Sequence, residues 1–204
     1  MTSTIDNVTD LSAVNSILGA IGQAPINKLD FTNPEISYIF SILRDVNRDV
    51  QGEGWCFNTE EHYELSPDGN NEIPVTSKML RLDIHEDGIL RNTNVVKRGG
   101  KLYDKANHTY EFSNKIYADV TWLFEFDELP SVFQRYITSR AASKAAAQLV
   151  TSPQLTSLLQ VEEQMNRAAC IEYECNQGDH SFLGWSDHAN YRSYQPAQGL
   201  RRHA

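Results

Sequence analysis

Leu11–Pro25 reads LSAVNSILGAIGQAP, and Val46–Phe57 reads VNRDVQGEGWCF. In the first stretch Leu11, Val14, Leu18 and Ile21 recur at three-to-four spacing, which places them on one stripe of an α-helix. Thr9 or Asp10 can cap its start, and Gly22 with Pro25 ends it. The second stretch closes another helix. Asn33 is placed to cap that helix, Pro34 suits its first position, and Ile36, Ile39, Phe40, Leu43, Val46 and Val50 form its apolar stripe. From Trp55 the period changes from helical to alternating. A helix, a stop, a second helix and an abrupt Gly-Trp entry into β structure therefore set the order of parts.

Working outward, Trp55, Phe57, Thr59, Glu61, Tyr63 and Leu65 read as one side of a strand, and Leu80, Leu82 and Ile84 repeat the pattern. Arg98-Gly99-Gly100-Lys101 reads as a hairpin turn, because paired glycines adopt the positive φ values that tight connections need. Lys101–Asp104 and Thr109–Phe112 follow as short strands, and Ile116, Ala118, Val120, Trp122, Phe124 and Phe126 mark one long strand. Helical spacing returns after Pro130 with Phe133, Tyr136, Ile137, Ala141 and Ala145, and the run of small residues through Ala147 permits close helix approach. After Thr151, Ser152 can cap a last helix with Pro153 in its first turn, carrying Leu155, Leu158, Leu159, Glu162, Met165 and Ala169. The expected fold is α+β: a bundle of about four helices built from residues 8–54 and 129–176, with a β-rich insertion, 55–128, between the second and third. The bundle is expected to hide its apolar stripes. Residues 177–204 read as an extended C-terminal arm.

The chain has 204 residues, 40% hydrophobic and 22% charged, which is a folding composition. Its formal charge is -9, and the acidic excess lies before the arm, whose three arginines outnumber its two aspartates. An acidic body argues against gripping duplex DNA, because sequence-independent affinity comes from basic residues neutralising phosphates. Cys56, Cys170 and Cys175 cannot all pair within the chain and show no CxxC spacing, so they read as reduced. The six histidines show neither H-x-x-x-H nor H-E-x-x-H spacing, and neither a metal nor a cofactor is expected. Gly52-Glu53-Gly54 leads into a strand, which is the wrong order for a phosphate cradle. No stretch approaches the ~20 apolar residues of a membrane span, and MTSTIDNVTD lacks the features of a signal peptide.

Catalytic readings find thin support. Glu60-Glu61, Asp127-Glu128 and Glu162-Glu163 are adjacent carboxylates, but strand neighbours point to opposite faces, so Glu60 and Glu61 cannot make a facing pair by themselves. Glu61 with Asp127 across the sheet is the pairing a glycan hydrolase would need. Asp179-His180-Ser181 and Ser186-Asp187-His188 hold hydrolase residue types without a G-x-S-x-G elbow. Phe182, Trp185, Tyr191 and Tyr194 stand in a polar arm as aromatic anchors for a partner surface. Arg44, Asp45, Arg48, Asp49, Glu162, Glu163 and Arg167 are mixed-charge helix residues suited to a subunit interface, and Arg98 and Lys101 flank the hairpin tip as a further contact point.

The two opening stretches, together with RGGKLYD at 98–104, DELPSVFQRYITSRAA at 127–142 and QVEEQMNRAACIEYE at 160–174, resemble the tail tubular protein A family of short-tailed phages. The resemblance runs to about Gly178. It implies a structural virion protein at the head-to-tail interface, assembled in the host cytoplasm as a dodecameric ring. The implied partners are the portal protein, the tail nozzle (tail tubular protein B), other copies of the chain and a tail fibre. DNA would pass through the ring without sequence-specific binding, and no membrane would be engaged. By the same resemblance the arm would dock on the portal and the insertion would face the nozzle. The competing readings are a tail-associated hydrolase of capsule or envelope polysaccharide, and a cytoplasmic interaction domain with no virion role.

Overall fold

A computed structural model describes residues 9–84, 94–150 and 152–177. Its helices are α1 (Asp10–Ala20), α2 (Pro34–Gly52), α3 (Ser131–Ala145) and α4 (Pro153–Gln177), with strands β1 (Thr59–Leu65), β2 (Met79–Ile84), β3 (Val95–Arg98), β4 (Lys101–Asp104) and β5 (Ile116–Trp122) between α2 and α3. The fold is thus α+β, with a strand-rich insertion between the second and third helices.

The helix boundaries follow local chemistry. The Thr9 hydroxyl accepts from the Ser12 N–H at 3.4 Å, the Asn33 side chain accepts from the Glu35 N–H at 3.0 Å, and Pro34 needs no donor partner at the first position. Gly22 turns the chain out of α1 with φ +79°. At α4 the Ser152 hydroxyl lies 3.5 Å from the Leu155 N–H it caps. Helix α3 is central: α1 and α2 pack on it, and α4 covers another side. Its sequence fits that position, because Phe133, Tyr136 and Ile137 fill one end while Ala141, Ala142, Ser143 and Ala145 let its neighbours approach closely.

The strands form two sheets, a three-stranded antiparallel one in the order β1-β5-β2 and a β3-β4 hairpin. Gly99 and Gly100, at φ +61° and +75°, make the hairpin turn. Leu65, Ile73, Val75, Met79, Leu102, Phe112, Ile116, Ala118 and Val120 build a second core between the sheets, separate from the helical one.

Several expected details are corrected. Trp55 and Phe57 are not strand residues; β1 begins at Thr59, and both rings pack on Phe133 in the helical core. The alternation through Glu61 fails at a bulge, where the partners jump from Glu60↔Val120 to Tyr63↔Ala118 and His62 takes φ 57°. Strand β5 stops at Trp122, and Phe126 belongs to a short 3-10 turn at the entry to α3. Thr109–Phe112 gives only isolated bridges, Asp104↔Thr109 and Glu72↔Glu111. The stripe read on α4 is only half hidden: Leu159 is buried, whereas Leu158 is 70% and Met165 68% exposed.

Candidate functional site

The junction between the helices and the large sheet is held by polar side chains in apolar surroundings. Gly54, at φ +81°, turns the chain from α2 toward β1. The Trp55 indole N–H then donates to the Val50 carbonyl at 2.7 Å, and the Asn58 amide donates to the carbonyls of Gln51 and Trp122 at 2.9 and 2.8 Å. Fully buried Gln51 accepts from the Phe124 N–H at 2.8 Å and donates to the Phe124 carbonyl at 3.0 Å. Those bonds replace the ladder that β5 leaves after Trp122. Among the described residues no buried side-chain nitrogen or oxygen lacks a partner, as a folded interior requires.

A charged clamp lies beside the junction and ties three helices. Arg167 on α4 and Arg140 on α3 both donate to Glu53, at 3.0 and 3.3 Å, and both donate to the Tyr136 hydroxyl, at 2.8 and 3.1 Å. Hydrogen bonds to Glu53 and Tyr136 hold the Arg167 guanidinium above its ordinary range. Arg140 also faces Glu163 at 3.9 Å. Glu163 and Arg167, expected on a subunit interface, thus spend their charges within the chain, and Asp49 likewise meets Lys144 at 3.4 Å.

The other expected contact residues divide. Arg98 stacks 4.3 Å over the Tyr103 ring, and Lys101 pairs with Glu72, which raises its ammonium pKa. Arg44, Asp45, Arg48 and Glu162 remain on exposed helix surface. Phe182, Trp185, Tyr191 and Tyr194 lie outside the described residues.

Two surfaces combine exposed apolar groups with charge. One is a groove of about 790 Å³ between α2 and residues 123–126, walled by Phe31, Phe40, Leu123 and Phe124 and rimmed by Asp10, Arg44, Asp45, Arg48 and Glu125. Burial, then the nearby Asp127 and Glu125 charges, raise the Asp10 pKa against the opposing pull of Arg44. The other is the outward face of α4, where Leu158, Val161 and Met165 stand 70%, 49% and 68% exposed. Periodicity located α4 but not its partner, and nothing in the residue pattern marks Gln51, Asn58 or Glu53 as structural keystones.

The chemistry weighed for a hydrolase takes a different shape. Glu60 accepts from the Trp122 indole N–H at 3.0 Å, and Glu61 sits in the β1 bulge. The cleft beside Trp122, lined also by Phe57, Lys78 and Pro130, holds the carboxylate of Glu128 and neither Glu61 nor Asp127. Among the described residues no group of histidine, cysteine and carboxylate side chains converges as a metal site would. The cysteine thiols there are free. Burial pushes the Cys170 thiol up to about 11, and burial together with Glu174 does the same for Cys56. No described helix is long and apolar enough to cross a membrane.

Comparison with known proteins places this architecture. Residues 11–180 match the family model described as "Tube: Tail tubular protein". The chain is similar to Tail tubular protein A of Klebsiella phage KP34, at 26% identity over 121 residues, which is 59% of this chain and 62% of that relative's length.

Proposed function

The chain belongs to the tail tubular protein family, and from that premise we propose that it is the ring-forming adaptor joining a phage portal to the tail nozzle and forming part of the DNA ejection channel. It is a structural protein of a phage tail. The single observation that carries the finer reading is the extent of the family match, which runs from α1 through the strand-rich insertion to the end of α4. The charge supports it: at -9 the chain offers passing DNA few phosphate-neutralising contacts, so a channel built from it favours sliding over gripping. The exposed apolar surfaces on α2 and α4 support association with other tail components.

In this proposal the helical layer and the arm, with Phe182, Trp185, Tyr191 and Tyr194, face the portal, and the hairpin tip at Arg98 and Lys101 faces the nozzle. A dodecamer assembles in the host cytoplasm and enters the virion at the head-to-tail interface. The test mixes this protein with the source phage's purified portal ring and reads mass by mass photometry and symmetry by negative-stain imaging. The expected result is a second ring stacked on the portal. Two folded proteins that do not associate would refute the adaptor reading.

A further inference from the structure

We propose that residues 1–8 of the chain, MTSTIDNV, close as a strap over the α2 groove of their own subunit, with Ile5 and Val8 seated between its two apolar walls. The inference does not depend on the ring reading, and residues 1–8 precede the 11–180 span of the family match.

The groove is apolar inside and mixed in charge at its rim. One wall is Phe31 and Phe40, whose ring centroids lie 5.1 Å apart, and the other is Leu123 and Phe124. Phe31 is nonetheless 53% exposed, so an apolar group that displaces water from this concave surface is stabilised there. The rim sets Asp10, Asp45 and Glu125 against Arg44 and Arg48, and so favours neither a strongly acidic nor a strongly basic occupant. Residues 1–8 meet that demand. Asp6 is their one charged side chain, and the hydroxyls and amide of Thr2, Ser3, Thr4 and Asn7 can hydrogen-bond to rim groups of either sign.

Chain position supplies the rest of the argument. Asp10 itself lines the groove, two residues beyond Val8. Thr9, between them, is extended at φ -81° and ψ 161°, so the chain leaves the α1 axis at the groove instead of prolonging the helix. At about 3.3 Å per extended residue, Val8 lies within roughly 7 Å of Asp10 and Ile5 within roughly 17 Å. The groove follows α2 from Ser37 to Arg48, about 16 Å at the helical rise, so both side chains fall within its length. Residues three apart in an extended chain face opposite sides, which directs Ile5 and Val8 to opposite walls. Thr2, Thr4, Ile5 and Val8 are β-branched and favour that extended form.

The short tether also decides between this strap and a second copy. Linkage over so few residues gives an effective concentration in roughly the millimolar range, which a separate chain at micromolar concentration does not match. A tail component that uses the α2 surface therefore meets it with the strap in place, and must displace the strap or dock on it.

The test keeps the full chain. Benzoylphenylalanine is introduced in place of Ile5, equal parts of isotopically light and heavy protein are irradiated at micromolar concentration, and the crosslinked peptides are mapped by mass. The expected crosslinks join the strap to residues 31–48 or 123–126 of the same isotopic chain. Crosslinks to other regions, none at all, or as many between light and heavy chains as within them would overturn the proposal. A second measurement compares I5D/V8D with T2D/S3D, which adds the same charge but leaves both apolar anchors, after circular dichroism shows that each is folded. Fluorescence of an added anilinonaphthalene sulfonate dye should rise several-fold in I5D/V8D and stay at the wild-type level in T2D/S3D. Equal dye binding by all three proteins, or the same rise in both variants, refutes the strap. The ring reading is untouched by either result, because its own test reads association with the portal.

Discussion

Replacing Gln51 with Leu tests whether the helix-to-sheet junction is held by hydrogen bonds or by apolar packing. Gln51 is fully buried and satisfies both backbone groups of Phe124, with a further donated bond of 2.8 Å to the Asn47 side chain. Leu has nearly the same volume and opens no large cavity, so the cost is chiefly that of the stranded backbone groups. A buried donor or acceptor without a partner costs about 1–3 kcal/mol. Phe124 is only half-buried, which lets water recover part of that, and leaves roughly 3 kcal/mol for the pair. Burying the Leu side chain returns about 1 kcal/mol. The net expectation is a loss of about 2 kcal/mol, which at a urea dependence of roughly 2 kcal/mol per molar lowers the unfolding midpoint by about 1 M. Urea unfolding followed by tryptophan fluorescence reads it, since Trp55 lies in this junction. Gln51→Glu is the companion variant. Its carboxylate still accepts from the Phe124 N–H but cannot donate, and burial raises its pKa. Its penalty is therefore present above that raised value and shrinks as pH falls through it, when the protonated acid regains a donor. A Gln51→Leu protein within ~0.5 kcal/mol of wild type would refute the reasoning, because a surface-like change is the most such a result permits.

Three further expectations follow from the same geometry. Glu53→Gln leaves the Arg167 guanidinium at the Tyr136 hydroxyl without its counter-charge and Arg140 with only Glu163, at 3.9 Å; the Glu53 carboxylate is 33% exposed, so thermal unfolding should report a loss of only about 1 kcal/mol, and no change at low salt would discount the clamp. Burial acts to raise the Asp104 pKa, but donors from the Asn107 side chain and the Ala106 and Asn107 backbones outweigh it and leave the carboxyl below 3.8. Its contribution is thus present above pH 3.8 and lost as pH falls through the lower folded value, so hydrogen exchange of the β3-β4 hairpin should accelerate only in that acid window, and an Asp104→Asn protein should lose that step. Thiols at about 11 are protonated near neutrality, so iodoacetamide at pH 8 should modify Cys56 and Cys170 far more slowly than a free cysteine does, as peptide mass mapping would show.

How much was legible before the coordinates depends on whether a signal is local. Helix periodicity, the Asn33-Pro34 start and the double glycine at 99–100 are short-range, because a cap, a missing N–H or a positive φ is decided within a few residues, and all three stand in the fold. The Trp55 to Leu65 alternation misled for the same reason. Aromatic residues at every second position look alike whether a sheet or a helix receives them, and Phe133, distant in sequence, claims Trp55 and Phe57. The candidate interface residues were read from helix positions, yet charge on a helix is ambiguous until its neighbours are known. Arg167 found Glu53 and Tyr136, whereas Arg44 and Arg48 found only the rim of a groove.

The sequence by itself determined the order of elements, the α+β class and the strand-rich insertion, because these rest on periodicity and local turn chemistry carried along one strand of residues, and the resemblance of its quoted stretches pointed to the family. Only the tertiary structure decided which polar groups are buried and paired, where β5 gives way to the Gln51 clamp, and which half of the α4 stripe faces water. Those outcomes depend on groups 73 and 114 positions apart meeting at hydrogen-bond distance, as Gln51 meets Phe124 and Glu53 meets Arg167. No periodicity encodes such a meeting, because its free energy arises only when folding removes water from both partners at once.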